Sequence, residues 1–437
     1  MKRLIVIGAR ATGSSVALVR AALARQVAVT VVTAPGHRLD GVFPAGVETV
    51  NLAPDADQLA GWLRARFPDE LDTLRVTTAH DTYARTAAWV ADALGLPGPD
   101  ARHVAHAVSK SNQKALLAAH GIPAAQFVSG TLAAPAALAA AAAPLRFPVV
   151  VKPSEGSASD GVRRCEDIAA VRAQLDALAA VQADARSLAT ERIVIEEFLE
   201  GSEYCVEYFD GRYVGALRKL KRHGAGFLER GYTSELDLDA NTLRALIDVG
   251  TRATAAAGLT WGPVHLDCIV HDGVPHVIEL NPRIAGSFIC DIVRDGYGFN
   301  VVEALLDRLD GKTVTIPELF EPHAYARAEF LLDSDPGAWR FAQAGEIDDG
   351  AVRISYGPQV LPDRERRAFI YVRVALPAVR GAEDDAGSTA EHGAVVEPTL
   401  ATAPSPGPLQ NDCGRSSRAR HQIDDSIDAE ASRLVRP

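Results

Sequence analysis

The chain has 437 residues, enough for roughly two to four domains with a well-buried core. Its 47% hydrophobic and 23% charged residues are those of an ordinary globular protein, and a net charge of −11 argues against a general nucleic-acid binder, which carries a basic face. The five cysteines, Cys165, Cys205, Cys268, Cys290 and Cys413, are odd in number and lack CxxC spacing, so no disulfide framework or zinc site follows and a reducing, cytoplasmic setting is expected.

In chain order, Leu4–Ile7 is an apolar run too short for a signal peptide, interrupted by Gly8, Arg10, Thr12 and Gly13. It reads as a first strand. Helical periodicity follows over Ser14–Arg25, then a β-branched strand at Val27–Val32 and another strand at Leu74–Thr78. Thr82–Leu94 is an amphipathic helix stopped by Gly95 and Pro97. Alternating β and α elements predict a small doubly wound parallel domain over residues 1–107. Its turn from Gly8 to Gly13 is not GxGxxG and no ribose acid follows, so the glycines read as loop packing rather than a dinucleotide site. No stretch reaches the roughly 18 apolar residues of a membrane span. The Ala-rich run at Ala133–Ala143 lacks bulky apolar residues and reads as a small-residue helix. No membrane and no nucleic acid are expected as partners.

The pattern changes near Val108. Ser109–Ala119 reads as a helix ending at Gly121-Ile122-Pro123, and Phe147–Lys152 as a strand. A helix at Ile168–Leu178 and a strand at Arg192–Glu197 complete a region spanning 108–200. A strand pair, Tyr204–Phe209 and Tyr213–Leu220, opens the next region, 201–378. It continues with a helix at Leu243–Ala257, a hairpin around His271-Asp272-Gly273, a helix at Val301–Leu309 and a small mixed cap from about His323 to Ala378. Residues 379–437 are rich in Pro, Ala, Gly, Ser and charge. Such a segment buries too little apolar surface to offset ordering entropy, so it reads as a disordered tail. Its acids at Glu383–Asp385 and basic patch at Arg415–Arg420 read as solvated.

Several residues can carry chemistry. If the hairpin strands are antiparallel, Asp267 and Glu279 pair across them and point to one face. Asn281 adds an amide oxygen, giving the all-oxygen donor set that hard divalent cations need. Arg283, two residues on, can hold an anion bidentately. Lys152 ends a strand before a loop holding Ser154, Gly156, Ser157, Ser159 and Gly161, whose small residues let backbone N–H groups approach phosphate. This is not the Walker pattern, because the lysine comes first. Lys110 adds a second cation, whereas Lys114, one helical turn on, is expected to face solvent. The segment Glu196-Glu197-Phe198-Leu199 ends a strand and could offer backbone groups to an adenine edge; a plain edge strand with acid flanks is an equal reading.

Taken as an ordered set, these residues resemble the ATP-grasp superfamily over roughly Val108 to Leu309. Lys110 lies eleven residues before Gly121 and Asp267 twelve before Glu279, as in that family's pattern. The resemblance implies two antiparallel-sheet subdomains with ATP between them, preceded by the N-terminal α/β unit. It implies an ATP-dependent, ADP-forming carboxylate–amine ligase working through an acyl phosphate. Lys110 and Lys152 would contact phosphates beneath the Gly/Ser loop. Glu196, Glu197, Phe198 and Leu199 would edge the adenine, and Glu203 would meet the ribose. Asp267, Glu279 and Asn281 would hold one or two Mg2+ ions, with Mn2+ as an alternative. Asp stands at 267 where the family more often has Glu. Arg283, with Lys152 and Asn281, would serve catalysis by orienting the acyl phosphate. The piece Arg283-Ile-Ala-Gly286-Ser287 resembles the subset that ligates L-amino acids. The segment from Lys219 through His223 and Glu229 to Ser234 falls where that subset has a substrate-facing loop, although a solvated basic turn is an equal reading. Partners are then a small carboxylate and a small amine, and a homodimer is in keeping with the family. Bicarbonate activation and non-catalytic nucleotide binding are the alternatives.

Overall fold

Leu4, Ile5, Val6 and Ile7 are closed to solvent because β1 (Arg3–Ile7) is an inner strand covered on both faces. The chain runs on through α1 (Ser14–Ala24), β2 (Ala28–Thr33), β3 (Glu48–Asn51), α2 (Ala56–Arg66), β4 (Leu74–Thr77) and α3 (Ala84–Ala93). The four strands are parallel in the order β3-β2-β1-β4. The chain leaves β1 towards β2 and returns to β4 on its other side. The loops after β1 and β4 therefore flank the switch point at the carboxyl ends of the strands, where open α/β sheets form a crevice.

A second layer follows: α4 (Ala101–Ala107), α5 (Lys110–Ala119), β5 (Phe127–Thr131), α6 (Pro135–Ala142), β6 (Val149–Pro153), β7 (Arg163–Cys165), α7 (Ile168–Ala185) and β8 (Arg192–Glu197). Its antiparallel sheet, in the order β5-β8-β6-β7, packs its own core of Leu138, Val149, Val151, Val171, Leu175, Ile193 and Ile195 under α6 and α7. The remaining elements are β9 (Ser202–Phe209), β10 (Arg212–Lys221), β11 (Glu229–Thr233), α8 (Ala240–Ala256), β12 (Pro263–His271), β13 (Val274–Asn281), α9 (Ile289–Tyr297), α10 (Val301–Leu309), β14 (Ala324–Leu332), β15 (Ile347–Asp348), β16 (Val352–Val360) and β17 (Arg366–Ala375). They form a nine-stranded sheet in the order β13-β12-β9-β10-β11-β14-β17-β16-β15. Alternation along β9 sends Tyr204, Val206 and Tyr208 to a core with Leu246 and Val249 of α8. It sends Cys205 and Phe209 to a core with Ile292 of α9 and Leu305 of α10. That second core continues into Leu4 and Val6 of β1 and Leu18 of α1, so the N-terminal sheet and the large sheet share apolar packing.

This computed structural model describes residues 1–332, 347–348, 352–360 and 366–375, except 11, 37, 38, 40, 157–160, 186–191, 222–228, 319 and 320; side chains are described up to residue 330, with 182–185 excepted. Residues 1–374 make one unit; of the second, 375–437, only Ala375 is described. The expected tail at 379–437, Cys413, the loop serines Ser157 and Ser159, and His223 lie outside the described residues.

The mixed α/β architecture, with a parallel N-terminal sheet and two antiparallel sheets, matches expectation. Boundaries moved: the helix expected at Ile168–Leu178 runs to Ala185. That expected over Thr82–Leu94 begins as a 3-10 turn at Asp81–Tyr83. Several short elements were not foreseen, among them β3, α2, α4, β5, β7, β11 and α9.

Candidate functional site

The β12–β13 hairpin turns on Asp272 and Gly273, both with positive φ (49° and 77°), as a two-residue turn between twisted strands requires. The turn sets the register, which pairs His265 with Asn281 and Asp267 with Glu279. Because side chains alternate, these four share one face, as expected for the two acids and the amide. The neighbouring β9 adds Glu203, Cys205 and Glu207, opposite Ile269, Asp267 and His265. The other face carries Val264, Leu266 and Leu280, all buried.

Each acid on this face already faces a cation. Lys219 Nζ of β10 lies 2.7 Å from Asp267 Oδ1 and 2.9 Å from Glu229 Oε1. His265 Nε2 lies 3.4 Å from Asp267, while its Nδ1 lies 2.5 Å from Glu207. Burial alone would raise the Asp267 carboxyl, but Lys219 and His265 overcome it and hold the group well below the usual range. Burial opposes the charge of His265; Glu207 and Asp267 outweigh it and push the imidazole up to about 10. Cys205, His265 and Asp267 place ligand atoms within 4.8 Å of one another. Burial pushes the Cys205 thiol up, and Glu207 with Asp267 pushes the His265 imidazole up, so the charged form of the thiol and the neutral form of the ring are both disfavoured here. The donor set that suits a hard divalent cation is Asp267, Glu279 and Asn281, all oxygen.

The lysines come from the facing layer. Ser109 caps α5 and places Lys110 in its first turn. Lys110 Nζ reaches Glu279 at 3.0 Å and donates to Gly156 O at 2.9 Å. This ties α5, the Gly/Ser loop and β13 together. Ser154 is buried, sharing its hydroxyl with Ser109 and Ser111. Gly156 (φ 131°) has open space where a side chain would stand, and Gly161 (φ 68°) accepts from Gln174.

Lys152 on β6 is bonded to Glu196 on β8, on the same face of that sheet. The expectation that Lys114 faces solvent is corrected. It is 1% exposed, with Nζ in an ion pair 2.7 Å from Glu196 Oε2. Its ammonium also donates to Val277 O at 3.3 Å. Glu196, expected at an adenine edge, has its carboxylate clamped between two lysines. Burial would raise it, but Lys114 and Lys152 hold it at about 2.

The rest of that strand end is less tightly drawn in. Glu197 accepts from Arg146 N, and the Phe198 ring lies under Arg164. The main-chain N–H groups of Glu197 and Phe198 are spent on Gln126 and Pro148. Leu199 is half-buried beyond them. Glu203 pairs with Lys221.

Arg283 is bonded to Asp81, which follows β4. Burial opposes its charge and Asp81 restores it. The glycine loop after β1 is packed, as expected: a Cβ on Gly8 would lie 2.0 Å from the Tyr83 ring.

Several of these residues carried no signal of function in the sequence. His265 could have been found from its place two residues before Asp267, and Glu207 from the alternation of Tyr204–Phe209. Asp81 had no local signal, since its partner Arg283 lies across the fold.

A family model described as ATP-grasp domain matches residues 145–291. The chain is 28% identical over 341 residues to the Sinorhizobium fredii protein "Uncharacterized protein y4rH", covering 78% of this chain and 66% of that one. It is 24% identical over 225 residues to dapdiamide A synthase of Enterobacter agglomerans, covering 48% and 52%. The chain thus spans less than two thirds of either relative. The crystal structure of L-amino acid ligase from Bacillus licheniformis matches the fold with a TM-score of 0.71 at 23% identity, over 86% of this chain and 94% of that one.

Proposed function

We propose, from the premise that this chain is an ATP-grasp protein, that it is an ADP-forming carboxylate–amine ligase acting on an amino acid. The observation that carries the reading is the pair of opposed ionic layers. Asp267, Glu279 and Asn281 share one sheet face, and Lys110 bridges from Glu279 to the phosphate-type loop. The relatives include D-alanine–D-alanine ligase of Bacillus anthracis, whose name describes joining two amino acids.

A carboxylate is a poor electrophile towards an amine. Phosphorylation by ATP turns it into an acyl phosphate with a good leaving group, and the protein contributes mainly position and charge. Lys110 and Lys152 hold the phosphates, joined by the loop that carries Ser154, Gly156 and Gly161. Leu199 and the strand end Glu196, Glu197 and Phe198 border the adenine, and Glu203 the ribose. Asp267, Glu279 and Asn281 would hold Mg2+ or Mn2+, whose charge would offset that of the transferring phosphoryl group. Arg283 steadies the acyl phosphate and the tetrahedral adduct formed on amine attack.

The test is a phosphate-release screen of all amino-acid pairs with Mg-ATP, products read by mass. A new amide mass together with ADP supports the reading. ADP release stimulated by bicarbonate alone, or ATP binding without turnover for any pair, overturns it.

A further inference from the structure

The switch point of the N-terminal sheet holds a cation that the roles above leave unused. Arg10 stands in the loop between β1 and α1, half-buried. Its main-chain N donates to Ser15 Oγ at 3.0 Å, but among the described residues its guanidinium makes no hydrogen bond or ion pair. The one acid acting on it is Asp81, and Asp81 is bonded by two nitrogens of Arg283. Asp81 thus faces two guanidinium groups; Glu207 and Asp267 act on Arg283 as well, whereas Asp81 is the acid that acts on Arg10. Burial lowers the Arg10 pKa and Arg283 adds to that, the state of a cation without its counterion.

The loop is anchored to the segment that carries Arg283. Ser14 N donates to Ser287 O at 3.0 Å, and a Cβ on Gly13 would lie 2.3 Å from the same oxygen. In this seam the buried Ser287 Oγ has no partner among the described residues, and α1, preceded by Gly13, has no side-chain cap. Donors accumulate here around too few acceptors. The roles proposed above give the phosphates Lys110 and Lys152, of which Lys110 also feels Asp81, so the group missing beside Arg10 is a second anion. The planar fork of a guanidinium matches a carboxylate.

We propose that Arg10 is a specificity residue, receiving a carboxylate other than the one being activated, in the crevice it shares with Arg283. The inference rests on the ligase reading above. The carboxylate comes either from the amine substrate, as its α-carboxylate, or from a dicarboxylic acyl substrate.

The test compares the full chain with R10Q and R10K in Mg-ATP-dependent phosphate release. Each amino acid is offered as the amine and as its carboxamide, and mono- and dicarboxylic acids are offered as the acyl partner. The wild type is expected to favour the carboxylate-bearing form by about ten- to a hundredfold in kcat/KM. R10Q brings that ratio close to one, and R10K restores part of it. The arm that shows the preference identifies the source. A wild type that does not discriminate, or a ratio unchanged in R10Q, overturns the assignment. If no pair releases phosphate, the ligase reading fails separately. Calorimetric titration with the same amino acids and carboxamides then decides for Arg10: a carboxylate preference lost in R10Q supports it, and no preference overturns it.

Discussion

Glu196 stands between two ammonium groups, so its triad keeps one positive charge after pairing. Removing either kind of member has unequal consequences. Glu196→Gln leaves two buried cations unpaired and is expected to cost about 3 kcal/mol. Lys114→Met leaves the Glu196–Lys152 pair balanced and is expected to cost less, as apolar replacement of a buried charge often does. The pH dependence follows from the depressed carboxyl. Glu196 lies at about 2 against a reference of 4.5, so its contribution is complete above pH 4.5 and is lost as pH falls towards 2. The stability gap between the wild type and Glu196→Gln therefore narrows over that window, read from melting midpoints at a series of pH values. Arg283 tests the chemistry: Arg283→Ala is expected to lower turnover by about two to three orders of magnitude while nucleotide binding persists by titration. At this scale the sequence put Asp267, Glu279 and Asn281 on one face, as the register has them, and it misplaced Lys114. The buried face of α5 is mostly polar, made of Lys110, Ser111, Gln113 and Lys114 with Leu117, so no apolar stripe marks it. Asp81 and Arg283 are 202 positions apart, and no local pattern joins them.

The element that organises the site is the β12–β13 hairpin, and it was legible because turn chemistry and alternation agree. A one-residue slip would send Asp267 to the apolar face. Gly273 adopts φ 77°, so Gly273→Val is expected to cost about 1–2 kcal/mol, seen as a lowered melting midpoint. Some of the elements that escaped notice were short, although α2 has eleven residues and α9 nine. β7 has three residues and β3 four, too few for a period to show. β11 (ERGYT) looks like a turn in isolation and becomes a strand through pairing with β10 and β14. Its Glu229 then reaches Lys219, which is how a residue expected in a substrate loop comes to support Asp267 instead.

Across the whole molecule, the N-terminal sheet is not an appendage. Leu4, Val6 and Leu18 pack in the same core as Ile292 and Leu305, and Arg25 pairs with Glu303 and with Asp307 at 2.7 Å. Those ion pairs are partly exposed and contribute little; the apolar contact decides. A fragment beginning at residue 108 would bare the faces of α9 and α10 and is expected to aggregate, judged by light scattering beside the full chain. The 127–197 layer, with its own core, is the part expected to resist limited proteolysis as a folded piece. A boundary near 107 was readable from the change of pattern; the shared core was not, because it is built from residues at both ends of the unit.

The lysine partners of Asp267 and Glu279 have a thermodynamic consequence. Before a divalent ion can settle there it must compete with Lys219 and Lys110 for the same oxygens. Lys110, once displaced, is left without its counterion and gains by meeting a polyphosphate. Ion and nucleotide should therefore tighten each other's hold, and by reciprocity to the same extent. Titrating Mg2+ with and without a non-hydrolysable ATP analogue would show the ion binding feebly alone and several-fold more strongly in company. Equal affinities would mean that the two ligands arrive as strangers.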